Sequence, residues 1–183
     1  MRVVAGTARR RRLVAPPGDA TRPTSDRVRE ATFNSLGSLG AVEGARVLDL
    51  FAGSGAMGIE ALSRGAAHAT FVDDDRRAID AIRANLATTG FEAAATVVRG
   101  DALRYVADHP GAFDLVVADP PYAFDRWPEL FAVLDAPVVV AESDRALDPG
   151  AQWVVVRSRR SGSTVVTIAR RADHRSHPEE TAP

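Results

Sequence analysis

The 183-residue chain contains no cysteine and no lysine, so all 23 of its basic residues other than histidine are arginines. The first absence excludes disulfides, thiolate metal sites and thiol nucleophiles. The second excludes a Walker A lysine, a Schiff base and a lysine general base. No apolar run approaches the ~20 residues that a membrane-spanning helix needs. The opening MRVVAGTARRRR lacks the apolar centre of a secretion signal. The four histidines, His68, His109, His174 and His177, fall in no metal-ligand spacing, and no metal site is expected. These exclusions predict one soluble, cytoplasmic domain. With 45% hydrophobic residues it can bury a core.

The formal net charge of −1 conceals a strong pattern. Residues 1–30 hold 8 Arg against 3 acids, net +5, and residues 157–183 hold 6 Arg against 3 acids, net +3. Between them, residues 31–156 hold 9 Arg against 18 acids, net −9. An acidic middle flanked by basic ends implies different partners for different parts of the chain.

Segments 2–5 and 11–15 flank a basic turn and predict a small hairpin, followed by the loop APPGDATRP (15–23). Thr24 or Ser25 can cap a helix running to about Leu36 and ended by Gly37, with Val28, Ala31, Thr32 and Leu36 on one side. From Arg46 the pattern alternates. Strands are expected at 46–51, 69–73, 94–98, 113–119 and 137–142, with helices at 56–64, 76–88, 102–108 and 127–134. Such alternation builds a parallel sheet covered on both faces. Two last strands, 152–157 and 164–169, flank RSRRSGS as a hairpin-like turn and predict an antiparallel edge.

Four motifs carry chemistry. Gly53, Gly55 and Gly58 form G-x-G-x-x-G between a strand and a helix, where backbone N–H groups approach a ligand. Asp49, four residues earlier, suits a ligand ammonium and would repel a pyrophosphate. Asp73 ends the next strand, where a carboxylate accepts from ribose hydroxyls. Asp74 and Asp75 follow it, with Asp75 the expected helix cap. Asp101 offers an acceptor for an adenine amino group or a cap for the next helix. The fourth is DPPY, Asp119–Tyr122, after the fourth strand. Its prolines fix a rigid loop at the sheet edge where ligands bind. A carboxylate and the Pro120 carbonyl can accept two N–H bonds from a planar amino group, while Tyr122 stacks on the ring.

Together these motifs resemble the class I S-adenosylmethionine-dependent methyltransferases that modify exocyclic amino groups. MRVVAGTARRRRL, RPTSDRVREATFN (22–34), DLFAGSGAMGIEALSRGA (49–66) and DLVVADPPY (114–122) resemble the bacterial 16S rRNA guanine-N(2)-methyltransferase family, RsmD type. The resemblance covers most of residues 1–122 in order and implies a Rossmann-like α/β fold. Its sheet would be seven-stranded and mostly parallel, with an antiparallel C-terminal hairpin and a small N-terminal β-hairpin. The implied organisation is a basic arm (1–23), a methyltransferase domain (24–172) and a disordered tail (173–183). The implied partner is 16S rRNA, within a partly or fully assembled small subunit, met by a monomer and without a membrane.

The resemblance also assigns roles. Asp119, Pro120, Pro121 and Tyr122 would hold the target amino group. S-adenosylmethionine would lie against Asp49, Phe51, Ala52, Gly53, Ser54 and Gly55, against Asp73, Asp74, Asp101 and Ala102, and against Thr24 and Asp119. Asp26, Arg29, Phe33 and Asn34 would lie near the cofactor mouth. Arg2, Arg9, Arg10, Arg11, Arg12, Arg22 and Arg29 would compensate the acidic domain for RNA, with Arg157, Arg159 and Arg160 as a second contact. Three other readings stay open: a DNA amino methyltransferase, an NAD-dependent oxidoreductase, and a non-catalytic RNA-binding assembly factor. A single short domain disfavours the first, Asp49 and DPPY the second, and an intact DPPY the third.

Overall fold

The computed structural model describes residues 1–17 and 25–172. Arg22, Thr24 and the segment 173–183 lie outside the described residues. The strands are β1 (Arg46–Leu50), β2 (His68–Asp73), β3 (Ala95–Arg99), β4 (Leu115–Ala118), β5 (Val138–Ser143), β6 (Trp153–Ser161) and β7 (Thr164–Arg171). They form one sheet in the order β3-β2-β1-β4-β5-β7-β6. The first five pair in parallel, and β7 pairs antiparallel with both β5 and β6. The chain steps outward from β1 in one direction, then returns to β4 and steps outward in the other. That reversal opens a crevice at the carboxyl ends of β1 and β4.

Two apolar layers hold the sheet. Helices α1 (Asp26–Ser38), α2 (Ala56–Ser63) and α3 (Arg76–Thr89) cover one face through Phe33, Leu36, Ile59, Ile79, Ile82 and Leu86, packed on Val47, Phe71, Val117, Val140 and Ile168. Helices α4 (Ala102–Ala107) and α5 (Trp127–Val133) cover the other through Leu103, Val106, Trp127, Leu130 and Phe131, packed on Leu48, Leu50, Val116 and Val139. The central strands are buried on both sides, which is why they read as unbroken apolar runs. Gly58 permits the close approach of α2. A Cβ there would stand 2.3 Å from the Phe71 ring.

Three local expectations are corrected. Gly37 lies inside α1, which ends at Ser38; the Leu39 N–H donates back to Ser35 and Leu36, and Gly40 supplies the positive φ. The buried face of α1 is Arg29, Thr32, Phe33, Ser35 and Leu36, a stripe shifted from the purely apolar reading because Arg29 is drawn inward. The stretch RSRRS is strand, not turn. β6 continues through it to Ser161, and Gly162-Ser163 alone makes the bend. Among the described residues β6 is exposed beyond Trp153, so its sequence carries no apolar alternation to reveal it.

The arm is part of the fold. Arg2 bridges Arg12 in antiparallel fashion, and Val3, Ala8 and Leu13 are buried while Arg9–Arg12 are exposed. Glu60, wholly buried on α2, accepts from the Val4 and Ala5 N–H groups at 2.8 and 3.0 Å. The Arg64 guanidinium donates to it at 2.7 Å, and Arg29 lies 3.6 Å away. Arg29, with no exposure, also donates to the Arg2 carbonyl and to Asp26. Its assignment to RNA is therefore corrected: the guanidinium is consumed by two carboxylates and a carbonyl inside the protein. At Gly6 the arm meets α2 so closely that a Cβ would fall 1.7 Å from the Ser63 carbonyl oxygen, at a φ of +79°.

Removing one partner of a buried ion pair leaves an uncompensated charge, at a cost of about 3–5 kcal/mol. Glu60→Ala is expected to destabilise the protein on that scale in urea titrations. Gly6→Ala is expected to release the arm from α2 and so speed tryptic cleavage at the already exposed Arg9–Arg12. A native-like digestion pattern for Gly6→Ala would show that the arm does not depend on this contact.

Candidate functional site

The crevice above β1 and β4 holds a cavity of about 460 Å3. Its floor is the turn after β1. Phe51 adopts φ +56° there, and Gly53 and Gly55 follow at +54° and +74°. A left-handed conformation at a bulky residue costs about 1–3 kcal/mol. The Phe51 ring is held at 5.2 Å from Phe124, which stands at 5.3 Å from Trp127 of α5. Because Phe124 also donates its N–H to the Pro121 carbonyl, one aromatic chain braces the glycine turn against the DPPY loop.

The carboxylates are both braces and wall. Asp49, 2% exposed, accepts the Gly58 N–H at 2.8 Å and so ties β1 to the start of α2. Burial pushes its pKa up to about 8, the Gly58 N–H opposing and the charge of Asp73 adding to the rise. Asp73 accepts the N–H groups of Gly53 at 2.8 Å and Asp75 at 2.9 Å. Its pKa is also raised, by burial first, with those two bonds opposing and the charges of Asp74 and Asp75 adding. Asp75 caps α3 through the Arg77 N–H.

The wall brings together Asp49, Phe51, Ala52, Gly53, Ser54, Asp73, Asp74 and the whole of Asp119–Tyr122, as the motifs require. Six carboxylates face this cavity, counting Asp75 and Glu142, and no arginine does among the described residues. Tyr122 is 39% exposed, and its hydroxyl is hydrogen-bonded to that of Thr164 at 3.0 Å. Gly55, Asp101 and Ala102 are not in the wall; the Asp101 carboxylate caps α4 by accepting the Arg104 N–H. Asp26, Arg29, Phe33 and Asn34 are also absent from it. Phe33 is core, and the Asn34 side-chain Oδ1 accepts from Arg64.

Several contributors escaped the sequence reading. Met1, Ala15 and Pro16 of the arm close one side of the cavity, and no local pattern signals such a long-range contact. Glu142 is the last residue but one of the apolar strand β5, an acid near a carboxyl-terminal strand end, which was a usable signal. Asn85 is buried on the apolar face of α3. Its amide donates to the carbonyls of Val14 and Ser54 and accepts the Val14 N–H, joining the arm to the glycine turn. A polar residue one position before Leu86 on that face was its only trace.

The residues fit S-adenosylmethionine. The carboxylates match a ligand with two cationic centres, and a Cβ at Gly53 would meet no protein atom nearer than 3.9 Å. The space above that glycine is thus left to a ligand rather than filled by packing.

Comparison with known proteins follows the same lines. The family model described as "Conserved hypothetical protein 95" matches residues 1–170. The Bacillus subtilis protein named "Putative rRNA methyltransferase YlbH" is 39% identical over 181 residues, covering 92% of this chain and 97% of that one. The Escherichia coli protein named "Ribosomal RNA small subunit methyltransferase D" is 42% identical over 122 residues, which is 67% of this chain and 60% of that protein. The solved structure of Escherichia coli yhhF aligns with a TM-score of 0.82 at 34% identity, over 93% of this chain and 97% of that one. A match over residues 1–170 and 39% identity over 92% of this chain, with the glycine turn and DPPY loop in one crevice, lead to one assignment: the chain belongs to the conserved hypothetical protein 95 family, the RsmD type.

Proposed function

We propose that the protein transfers a methyl group from S-adenosylmethionine to the exocyclic amino group of a guanine in 16S rRNA. The observation that carries this reading is the joining of DPPY to an all-carboxylate cavity at the sheet's switch point. A pyrophosphate-bearing dinucleotide would meet six carboxylates there. The names of the relatives, both of which specify ribosomal RNA, support the substrate class.

The bound cofactor supplies an electrophilic methyl group. Asp49 and Asp73 balance its positive charge while holding the glycine turn. The target base is taken out of its stack, because its amino group is otherwise inaccessible. Asp119 and the Pro120 carbonyl accept the two amino hydrogens, and Tyr122 packs on the ring. These bonds turn the nitrogen lone pair toward the methyl carbon, so that the new N–C bond forms as the S–C bond breaks. The proton released from nitrogen leaves to Asp119 or to water. Positioning supplies the rate, and no covalent enzyme intermediate is needed. In this reading residues 1–23 act as an RNA-contacting arm beside the domain 24–172. The chain works as a cytoplasmic monomer on a partly or fully assembled small subunit.

Incubation with labelled S-adenosylmethionine and, separately, naked rRNA, partly assembled small subunits and DNA tests the proposal. Label is expected as N2-methylguanine in rRNA; label in DNA would overturn it. Asp119→Ala is expected to lower turnover about a hundredfold or more while cofactor binding persists. Neutral residues at Arg9–Arg12, all exposed, are expected to weaken RNA binding and flatten its salt dependence.

Asp49 predicts a pH effect on the ligand-free protein. Its pKa is raised from 3.8 to about 8 on folding. Stability is therefore fully present below pH 3.8 and is lost as pH rises through about 8. Asp49→Asn retains an acceptor for the Gly58 N–H and has no charge to bury. Its advantage over the parent in urea midpoint is expected to grow between pH 5 and pH 8 and then level off. A constant difference across that range would contradict the assignment.

A further inference from the structure

A second cavity, about 240 Å3, lies between α1 and the β6–β7 hairpin. Its charge is opposite to that of the first. Arg27, Arg157, Arg159 and Arg160 line it, no carboxylate does, and Val28, Val166 and Ile168 give it an apolar floor. Among the described residues none of the four arginines has an ion-pair partner, whereas Arg2, Arg29, Arg46, Arg64, Arg77 and Arg126 each do. Arg157 reaches across to α1 and donates to the Ser35 hydroxyl, fixing the cleft's width.

The strand register puts these arginines there. Between Val155 and Arg157 the pairing of β6 with β7 shifts by one residue, a bulge at Val156. Beyond it Arg157 pairs with Ile168 and Arg159 with Val166. Directly paired residues share a sheet face, so both guanidiniums stand on the α1 side. Without the bulge Val156 and Ser158 would hold those positions, because a one-residue slip exchanges the faces.

The cleft adjoins the first cavity. Val166, in its floor, pairs with Glu142 of β5, which lines the methyl-transfer cavity. Neighbouring strands lie about 4.8 Å apart. Thr164, two residues before Val166, is bonded to Tyr122. A polyanion with flat apolar rings, threaded from one cavity to the other, matches this sequence of surfaces.

We infer that the α1/β6–β7 cleft is a second RNA subsite, binding phosphates and one base of the nucleotides adjoining the one methylated. The inference rests on the proposed rRNA reading of the first cavity. Phosphates pair with Arg27, Arg159 and Arg160, and a base lies on Val166 and Ile168.

The test measures binding without turnover, by anisotropy of a labelled single-stranded oligoribonucleotide carrying one 4-thiouridine. Arg159→Gln/Arg160→Gln alters only exposed side chains. It is expected to weaken binding about tenfold or more and to reduce the salt slope by about 1.4, or about 0.7 per arginine. Affinity for S-adenosylmethionine should not change. Cross-links are expected in α1 or β6 peptides and lost in the variant. An unchanged slope with cross-links elsewhere would overturn the cleft and leave the methyl-transfer reading intact. RNA binding through the cleft with no methylation of any substrate would do the reverse. Two competitors complete the test. Equal displacement by inorganic phosphate would overturn the strand-binding role, and protection of the cleft by hexaglutamate but not by RNA would assign it to an acidic protein instead.

Discussion

The arrangement of the molecule depends on one buried carboxylate. Glu60 sits inside α2, away from water, which is costly unless every lone pair is used. Two arm N–H groups and the Arg64 guanidinium donate to it, and the Arg29 guanidinium pairs with it at 3.6 Å. The arm is thereby locked to α2, and α1 is locked to both through Arg29. Because the arm is held at this point, its far end can serve as a wall of the first cavity, where Met1, Ala15 and Pro16 lie. Asn85 fastens that end. Residues 1–17 of the arm are thus held against the domain by contacts of the protein itself.

In the proposed reading, one short chain serves two ligands of opposite charge. A cation and a polyanion cannot share a lining, because each would be repelled by the residues suited to the other. The fold separates the linings by the width of a strand. Glu142 and Val166 are partners across β5 and β7, yet one belongs to the carboxylate cavity and the other to the arginine cleft. Burial in the first cavity works against the Asp49 carboxylate in the ligand-free protein, as its pKa raised to about 8 records. Solvent screens the exposed arginines of the second over about 10 Å. The overall charge of −1 is thus a sum of unlike blocks, +5, −9 and +3.

The sequence made much of this legible, for physical reasons that can be named. The central strands are read easily because burial on both faces forces continuous apolar runs, and Asp75 and Ser25 are read as caps because capping is local. The glycine turn and DPPY could be joined because alternating strands and helices bring carboxyl ends to one edge. What failed was long-range or mixed in character. Arg29 has the composition of a surface residue, and only the distant Glu60 explains its burial. The arm's place over the cavity has no local signature. The basic half of β6 looks like a turn because an uncovered edge strand needs no apolar alternation.

That edge strand admits a second explanation, which the register tests. β6 ends the sheet with an unpaired edge and exposes Val154, Val155 and Val156 at 54%, 44% and 42%. Charged residues on such a strand discourage pairing with another chain, and a bulge serves the same purpose. Protection of the edge alone is indifferent to which face carries the charge. The bulge at Val156 is not indifferent: it turns Arg157 and Arg159 toward α1, where Arg27 already stands and where no carboxylate neutralises them. Convergence of arginines from a helix and a strand on one apolar-floored cleft is explained by a ligand bearing phosphates and rings. A safeguard against aggregation would leave the face of these arginines to chance.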